Sequence, residues 1–204
     1  MKYQIKNIFW DFDGVLMNSN AVRDKGFELV LSEYPKEQVK KLMDFHRANG
    51  GLSRYVKFRY FFEEVREKKI TSEEIQDWAN KFSKIMLANL IKKNLLIKET
   101  TDFVKVNYKN YNMHIVSGSD GKELREICKG VDLIQYFTSI EGSPTPKIVL
   151  VSNILKLKKY NPSECVLIGD SINDFDAAIA NNINFIGFGN QEIKKLTTLG
   201  INLI

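Results

Sequence analysis

The chain has 204 residues, enough for one substantial domain or for a core that carries a smaller inserted module. With 44% hydrophobic and 27% charged residues it is neither a disordered chain nor a membrane-spanning one, since no apolar run approaches bilayer length. The net charge of +5 lies in one stretch: residues 18–96 hold 16 Lys and Arg against 11 Asp and Glu, and the remainder holds 14 of each. Those basic residues alternate with acids and no nucleic-acid motif accompanies them, so attraction of a small anion is expected rather than a nucleic-acid partner. The opening Met1-Lys2-Tyr3-Gln4-Ile5-Lys6 is not a secretory signal. Cys128 and Cys165 lack metal-ligand spacing and read as small core residues, reduced in a cytoplasmic protein. No membrane or obligate protein partner is implied.

Ile5–Trp10 reads as a first strand running into Asp11. From about residue 20 to 94 the pattern changes to four amphipathic helical stretches without a strand signal. Tyr34-Pro35, Asn49-Gly50-Gly51 and Ile70-Thr71-Ser72 punctuate them, the last being an N-cap followed by Glu73-Glu74. Phe58, Tyr60, Phe61 and Phe62 read as an aromatic helix face packed within this segment. Beyond residue 97, strands are expected at 112–116, 137–140, 165–169 and 184–187, and helices at 120–129, 147–159 and 173–181. His114 falls inside an apolar strand and reads as a buried, hydrogen-bonded histidine. The alternation implies an α/β fold with a doubly wound, Rossmann-like parallel sheet, whose ligands bind beyond the carboxyl ends of the strands.

The segments at those strand ends carry the candidate chemistry. Asp11-Phe12-Asp13-Gly14-Val15 places two acids in alternation. One is a nucleophile or metal ligand and the other, its pKa raised by its neighbour, a general acid; otherwise the pair is a polar turn with a helix cap. In Val116-Ser117-Gly118-Ser119-Asp120, Ser117 and the Gly118 backbone N–H can hold a phosphate, although Ser-Gly-Ser is also a common loop. Gly142-Ser143-Pro144-Thr145-Pro146-Lys147 sets a lysine at a helix start, where the dipole disfavours it unless it faces an anion; a surface lysine is the alternative. Ile168-Gly169-Asp170-Ser171-Ile172-Asn173-Asp174 supplies two more acids, either as helix caps or as oxygen ligands for a hard cation.

Taken in this order, the four segments resemble the sequence motifs of the haloacid dehalogenase-like superfamily, most of whose members are phosphatases. The resemblance spans nearly the whole chain. It implies an α/β core at 1–17 and 97–204 with an inserted all-helical cap at 18–96, similar to the cap of sugar phosphatases and β-phosphoglucomutase-like enzymes. It implies that Asp11 is the nucleophile and Asp13 the general acid and base, protonated in the first step. Ser117, Gly118 and Lys147 then hold the phosphoryl oxygens. Mg²⁺ is bound by Asp11, Asp170 and the Asp13 backbone carbonyl, and Asp174 supports the metal site or pairs with the lysine. One departure stands out: relatives often carry the lysine ahead of the first proline, where this chain has Ser143, so Lys147 is the expected substitute. The implied activity is hydrolysis of a small phosphorylated metabolite, such as a sugar phosphate, through an aspartyl-phosphate. An acid at position 13 favours phosphoryl transfer over dehalogenation.

Gly50-Gly51-Leu52-Ser53-Arg54 resembles the specificity loop of helical-capped relatives, which implies substrate contacts for Arg54 and Ser53, with His46 and Arg47 facing the same cleft. The alternative is a helix capped by Ser53 with Arg54 in solvent. A sugar phosphomutase is the competing activity. It is disfavoured because Arg23 stands where the mutases place a histidine early in the first cap helix.

Overall fold

The computed structural model describes residues 4–198. After the first strand, β1 (Asn7–Trp10), come the helices α1 (Asn20–Val30), α2 (Lys36–Ala48), α3 (Arg54–Tyr60) and α4 (Ser72–Leu90). The chain then alternates through α5 (Lys98–Asn107), β2 (Asn112–Asp120), α6 (Gly121–Gly130), β3 (Ser139–Ser143), α7 (Lys147–Lys158), β4 (Cys165–Gly169), α8 (Ile172–Ala180), β5 (Asn184–Gly187) and the short α9 (Gln191–Lys194). The five strands form one parallel sheet in the order β3-β2-β1-β4-β5. The chain therefore starts at the centre of the sheet and winds outwards to both edges. That topology opens a crevice at the carboxyl end of β1, between β2 and β4.

The sheet is covered on both faces because side chains alternate along each strand. Ile8 and Trp10 of β1 join Met113 and Ile115 of β2, Val104 of α5 and Leu124 of α6 in one cluster. Phe9, between them in sequence, joins Leu167 of β4, Val151 of α7 and Ala177 of α8 in the other. β1 is buried along its whole length, so its polar continuation, Asp11, emerges at a fixed place. No helix among the described residues is long and apolar enough to cross a membrane.

The helical segment holds its own aromatic core. Phe27 of α1 packs against Phe58 of α3 and Phe82 of α4, with ring centroids 5.4 and 4.4 Å apart. Helix α3 continues into a π-helical turn over Phe61–Val65, which keeps Phe61 and Phe62 buried while Tyr60 stacks on Phe45. Thr71 caps α4 in a reciprocal box with Glu74. His114 is fully buried, its ring nitrogens 2.9 Å from the Ser139 hydroxyl and 3.2 Å from that of Tyr160. Both cysteines are buried and free.

Two strands and one helix depart most from the sequence reading. β2 runs on to Asp120 rather than stopping at Val116, because pairing with β3 continues through Ser117↔Gly142 and, past an irregularity, Asp120↔Ser143. β3 spans Ser139–Ser143 rather than 137–140, since its pairing with β2 runs from His114↔Ser139 to Asp120↔Ser143. α5 was not anticipated: its start, Lys98-Glu99-Thr100-Thr101, is polar, and it is anchored from afar by the Thr100 hydroxyl, which donates to the Val15 carbonyl at 2.6 Å.

Candidate active site

Asp11 leaves β1 with its backbone N–H bonded to the Ile168 carbonyl of β4 at 2.9 Å. That bond places it beside Asp170 and Asp174, which follow β4. Carboxylate oxygens of Asp11, Asp170 and Asp174 lie within 4.8 Å of one another. Gly14, at φ +78°, is required by this approach, because a β-carbon there would lie 2.0 Å from Asp170 Oδ2. Lys147, at the start of α7, is buried with its ammonium 2.8 Å from Asp11 Oδ1 and bonded as well to Asp174 Oδ1. Asp174 Oδ2 accepts from the Ser171 hydroxyl at 2.6 Å and from its N–H at 3.1 Å. Both oxygens of Asp174 therefore accept from protein donors, and all three carboxylates stand close enough to share a cation.

The electrostatics show a site with an excess of acid. Burial, then Asp174, pushes the Asp11 carboxyl well above the usual carboxylate range against the pull of Lys147. Burial and Asp174 likewise push Asp170 up to about 7. The Lys147 ammonium loses hydration by burial, yet Asp11 and Asp174 raise its pKa overall and keep it charged. Buried hard oxygen donors with raised pKa values are what a divalent cation relieves, so the donor set fits Mg²⁺.

Asp13 has a different environment from the one expected. Burial alone would raise its pKa, but the Arg23 guanidinium, with hydrogen bonds from Ser119 and Ser19, holds it below the ordinary value. Arg23 Nε donates to Asp13 Oδ1 at 2.5 Å, the Ser119 hydroxyl donates to Oδ2 at 2.6 Å, and the Ser19 hydroxyl donates to Oδ1. The expected raised pKa is thus corrected to a lowered one, because the neighbour that decides it is a cation from α1 rather than Asp11. Ser117 is buried, its hydroxyl accepting from the Ser119 N–H at 3.1 Å, and it lines the cleft together with Gly118.

Above these residues the helical segment closes a cleft of about 730 Å³. Its loop before α3 touches the sheet end directly: a β-carbon on Gly118 would lie 2.1 Å from the Gly51 carbonyl oxygen, and the Asn173 amide donates to that oxygen at 3.1 Å. Arg54 lines the cleft but its guanidinium is engaged. It donates to Glu123 of α6 at 2.5 and 2.8 Å and to the Ser83 hydroxyl at 2.7 Å, and it stacks over Phe82. It is buried, not solvated. Ser53 caps α3 by accepting from the Val56 N–H. Arg47 and His46 both meet Asp24 of α1, at 3.1 and 2.9 Å; Arg47 is exposed at the mouth of the cleft and His46 lies deeper.

The family model of haloacid dehalogenase-like hydrolases matches residues 8–188. The chain belongs to that family. Among solved structures it is similar to β-phosphoglucomutase from Clostridium difficile, with a TM-score of 0.76 at 20% identity over 98% of this chain and 91% of that one. A predicted phosphatase from Clostridium acetobutylicum has a TM-score of 0.73 at 17% identity, covering 94% and 90%. CbbY from Rhodobacter sphaeroides, in complex with xylulose-1,5-bisphosphate, has a TM-score of 0.71 at 14% identity, covering 90% and 86%. A search of curated proteins finds no match. The family is a hydrolase family, and the likeness to these structures is one of fold.

Four residues at the site were missed from sequence: Ser19, Lys57, Ser119 and Glu123. Strand alternation could have found Ser119, two residues beyond Ser117 on the same side of β2. Helical spacing could have found Lys57, three residues after Arg54 on α3. Nothing local marks Ser19 or Glu123, whose partners lie in other elements.

Proposed function

We propose that this chain is a Mg²⁺-dependent phosphatase that hydrolyses a small phosphate ester through an aspartyl-phosphate on Asp11. The observation that carries the reading is the convergence of Lys147, Asp174 and Asp170 on Asp11 at the carboxyl ends of β1 and β4. Asp11 attacks phosphorus, forming the acyl-phosphate bond as the ester oxygen leaves; water then attacks the phosphoenzyme and releases phosphate. Lys147, Ser117 and the Gly118 N–H stabilise the phosphoryl oxygens as charge spreads. Mg²⁺ held by Asp11, Asp170 and the Asp13 carbonyl would supply the charge that lets an anion approach a carboxylate.

Asp13 shuttles the proton between the leaving oxygen and the attacking water. Held ionised by Arg23, it is poised as the base of the second step; to donate in the first it must take up a proton from solvent, which a weakened Arg23 pair permits. In this reading residues 18–96 act as a cap that excludes water, on a core of 1–17 and 97–204. Arg54 and Ser53 position the loop over the cleft, and Arg47 guards its mouth. A phosphomutase is the second reading, favoured by the likeness of fold to β-phosphoglucomutase. It predicts a phosphoenzyme that survives long enough to phosphorylate a second sugar.

The experiment is phosphate release from an aryl phosphate with Mg²⁺, wild type against Asp11→Asn. Loss of activity by roughly a thousandfold or more is expected for a missing nucleophile. Equal activity in the two proteins ends the proposal.

A further inference from the structure

We propose that Lys57 and Arg23 form a second anion subsite on the wall of the cleft, so that the preferred substrate is a phosphate ester bearing a further acidic group, carboxylate or phosphate. This rests on the reading that Asp11 takes a phosphoryl group. Lys57 is only 4% exposed and lines the cleft. Its ammonium makes no hydrogen bond or ion pair with any described residue, although Asp13 and Asp24 attract it from a distance. Both acids are already taken: Asp13 by Arg23, Ser19 and Ser119, and Asp24 by His46 and Arg47. Phe27 gives little compensation, with its ring centroid 6.0 Å from Lys57 Nζ at the limit of a cation–π contact.

Arg23 repeats the pattern on α1. It is 7% exposed, and while its Nε and Nη1 are bound by Asp13 and Glu123, its Nη2 is buried without any partner. A buried cation or donor left unpaired is costly, and a ligand that pairs it recovers that cost as binding. Arg54, the cleft arginine that the loop motif points to, has both ends of its fork filled by Glu123. The open positive position therefore belongs to Lys57, and Arg23, whose unpartnered Nη2 is enclosed by protein, adds its charge beside it. Burial and the neighbouring Arg23 bring the Lys57 pKa down to about 8, as expected for an ammonium still lacking its counter-ion.

The test uses matched esters of increasing chain length: alkyl phosphates, ω-carboxyalkyl phosphates and alkyl bisphosphates. Turnover is measured with Mg²⁺ and binding is measured by calorimetry, for wild type, Lys57→Met and Lys57→Arg. Wild type should favour a doubly acidic ester over its alkyl match. That preference should fall by about 30-fold or more in Lys57→Met and largely survive in Lys57→Arg. Whether the carboxylate or the bisphosphate arm shows it names the second group. A wild type that treats matched esters alike, or a Lys57→Met protein that keeps the preference to within about twofold, overturns the subsite. Selective binding without turnover of any ester would retain the subsite and reject the phosphatase reading.

Discussion

Lys147 Nζ lies 2.8 Å from Asp11 Oδ1 although 136 residues separate them. The same ammonium binds Asp174, so one side chain joins α7, the end of β1 and the start of α8. Replacing it by methionine leaves buried acids without their cation. Lys147→Met should lose activity by at least about a hundredfold and about 3 kcal/mol of stability near neutral pH. The stability loss should shrink on acidification as Asp11, already raised, takes up a proton. Denaturation curves at pH 5 and 8 check this; the same loss at both would contradict it.

In the proposed reading Asp170 is a metal ligand, and its protonation sets the pH dependence of Mg²⁺ binding. Its carboxyl is pushed up to about 7 from the ordinary 3.8. Between those values the folded, metal-free protein holds a proton that the unfolded chain has released, so its stability declines as pH rises through the window. Bound Mg²⁺ must displace that proton. The rise in melting temperature on adding Mg²⁺ should therefore be large at pH 8 and small at pH 5.5, and nearly absent in Asp170→Asn. Equal rises at both pH values would remove Asp170 from the metal site.

Arg23 keeps Asp13 ionised. In Arg23→Met that pull is lost while burial remains, so the Asp13 carboxyl should rise. The limb of the pH–rate profile set by Asp13 should move to higher pH. A limb that stays in place would show that Arg23 does not tune Asp13.

Glu123 has a fully buried side chain that binds Arg54 through both oxygens and Arg23 at 3.1 Å. Glu123→Ala leaves the buried Arg54 guanidinium without its carboxylate and Arg23 with Asp13 alone, and should cost about 3 kcal/mol in chemical denaturation. A loss below about 1 kcal/mol would mean that the pairing is replaced by solvent.

His114 resists protonation, burial bringing its pKa down from 6.5 to about 4. As pH falls below 6.5 the unfolded chain gains a proton that the folded protein refuses, so stability is lost progressively towards pH 4, by up to about 3 kcal/mol. His114→Gln should show a shallower fall over that range. An unchanged slope would place the acid sensitivity elsewhere, His46 being the other candidate.

Much of the architecture could be read from the chain because apolar runs end abruptly in acids. Phe9-Trp10-Asp11 and Ile168-Gly169-Asp170 each mark a buried strand and its functional end together. The departures arise where distant partners override local preference. Ser117-Gly118-Ser119 has little tendency to extend, yet β3 pairs with it. Lys98-Glu99-Thr100-Thr101 offers no apolar stripe, yet Val15 receives Thr100. The same limit applies at the site. Asp11, Asp170 and Lys147 are marked by their places in the pattern, whereas the links Arg23–Asp13 and Arg54–Glu123 join helices to the sheet end across gaps in sequence that no periodicity reports.

Gly118 and Gly51 meet main chain to main chain, so the seal does not depend on which side chains the loop carries. Residues beside it can be exchanged without disturbing that contact. A methyl group at position 118 would do the opposite: it would wedge the loop away, wet the chamber and admit bulkier compounds while leaving every acid and base in place.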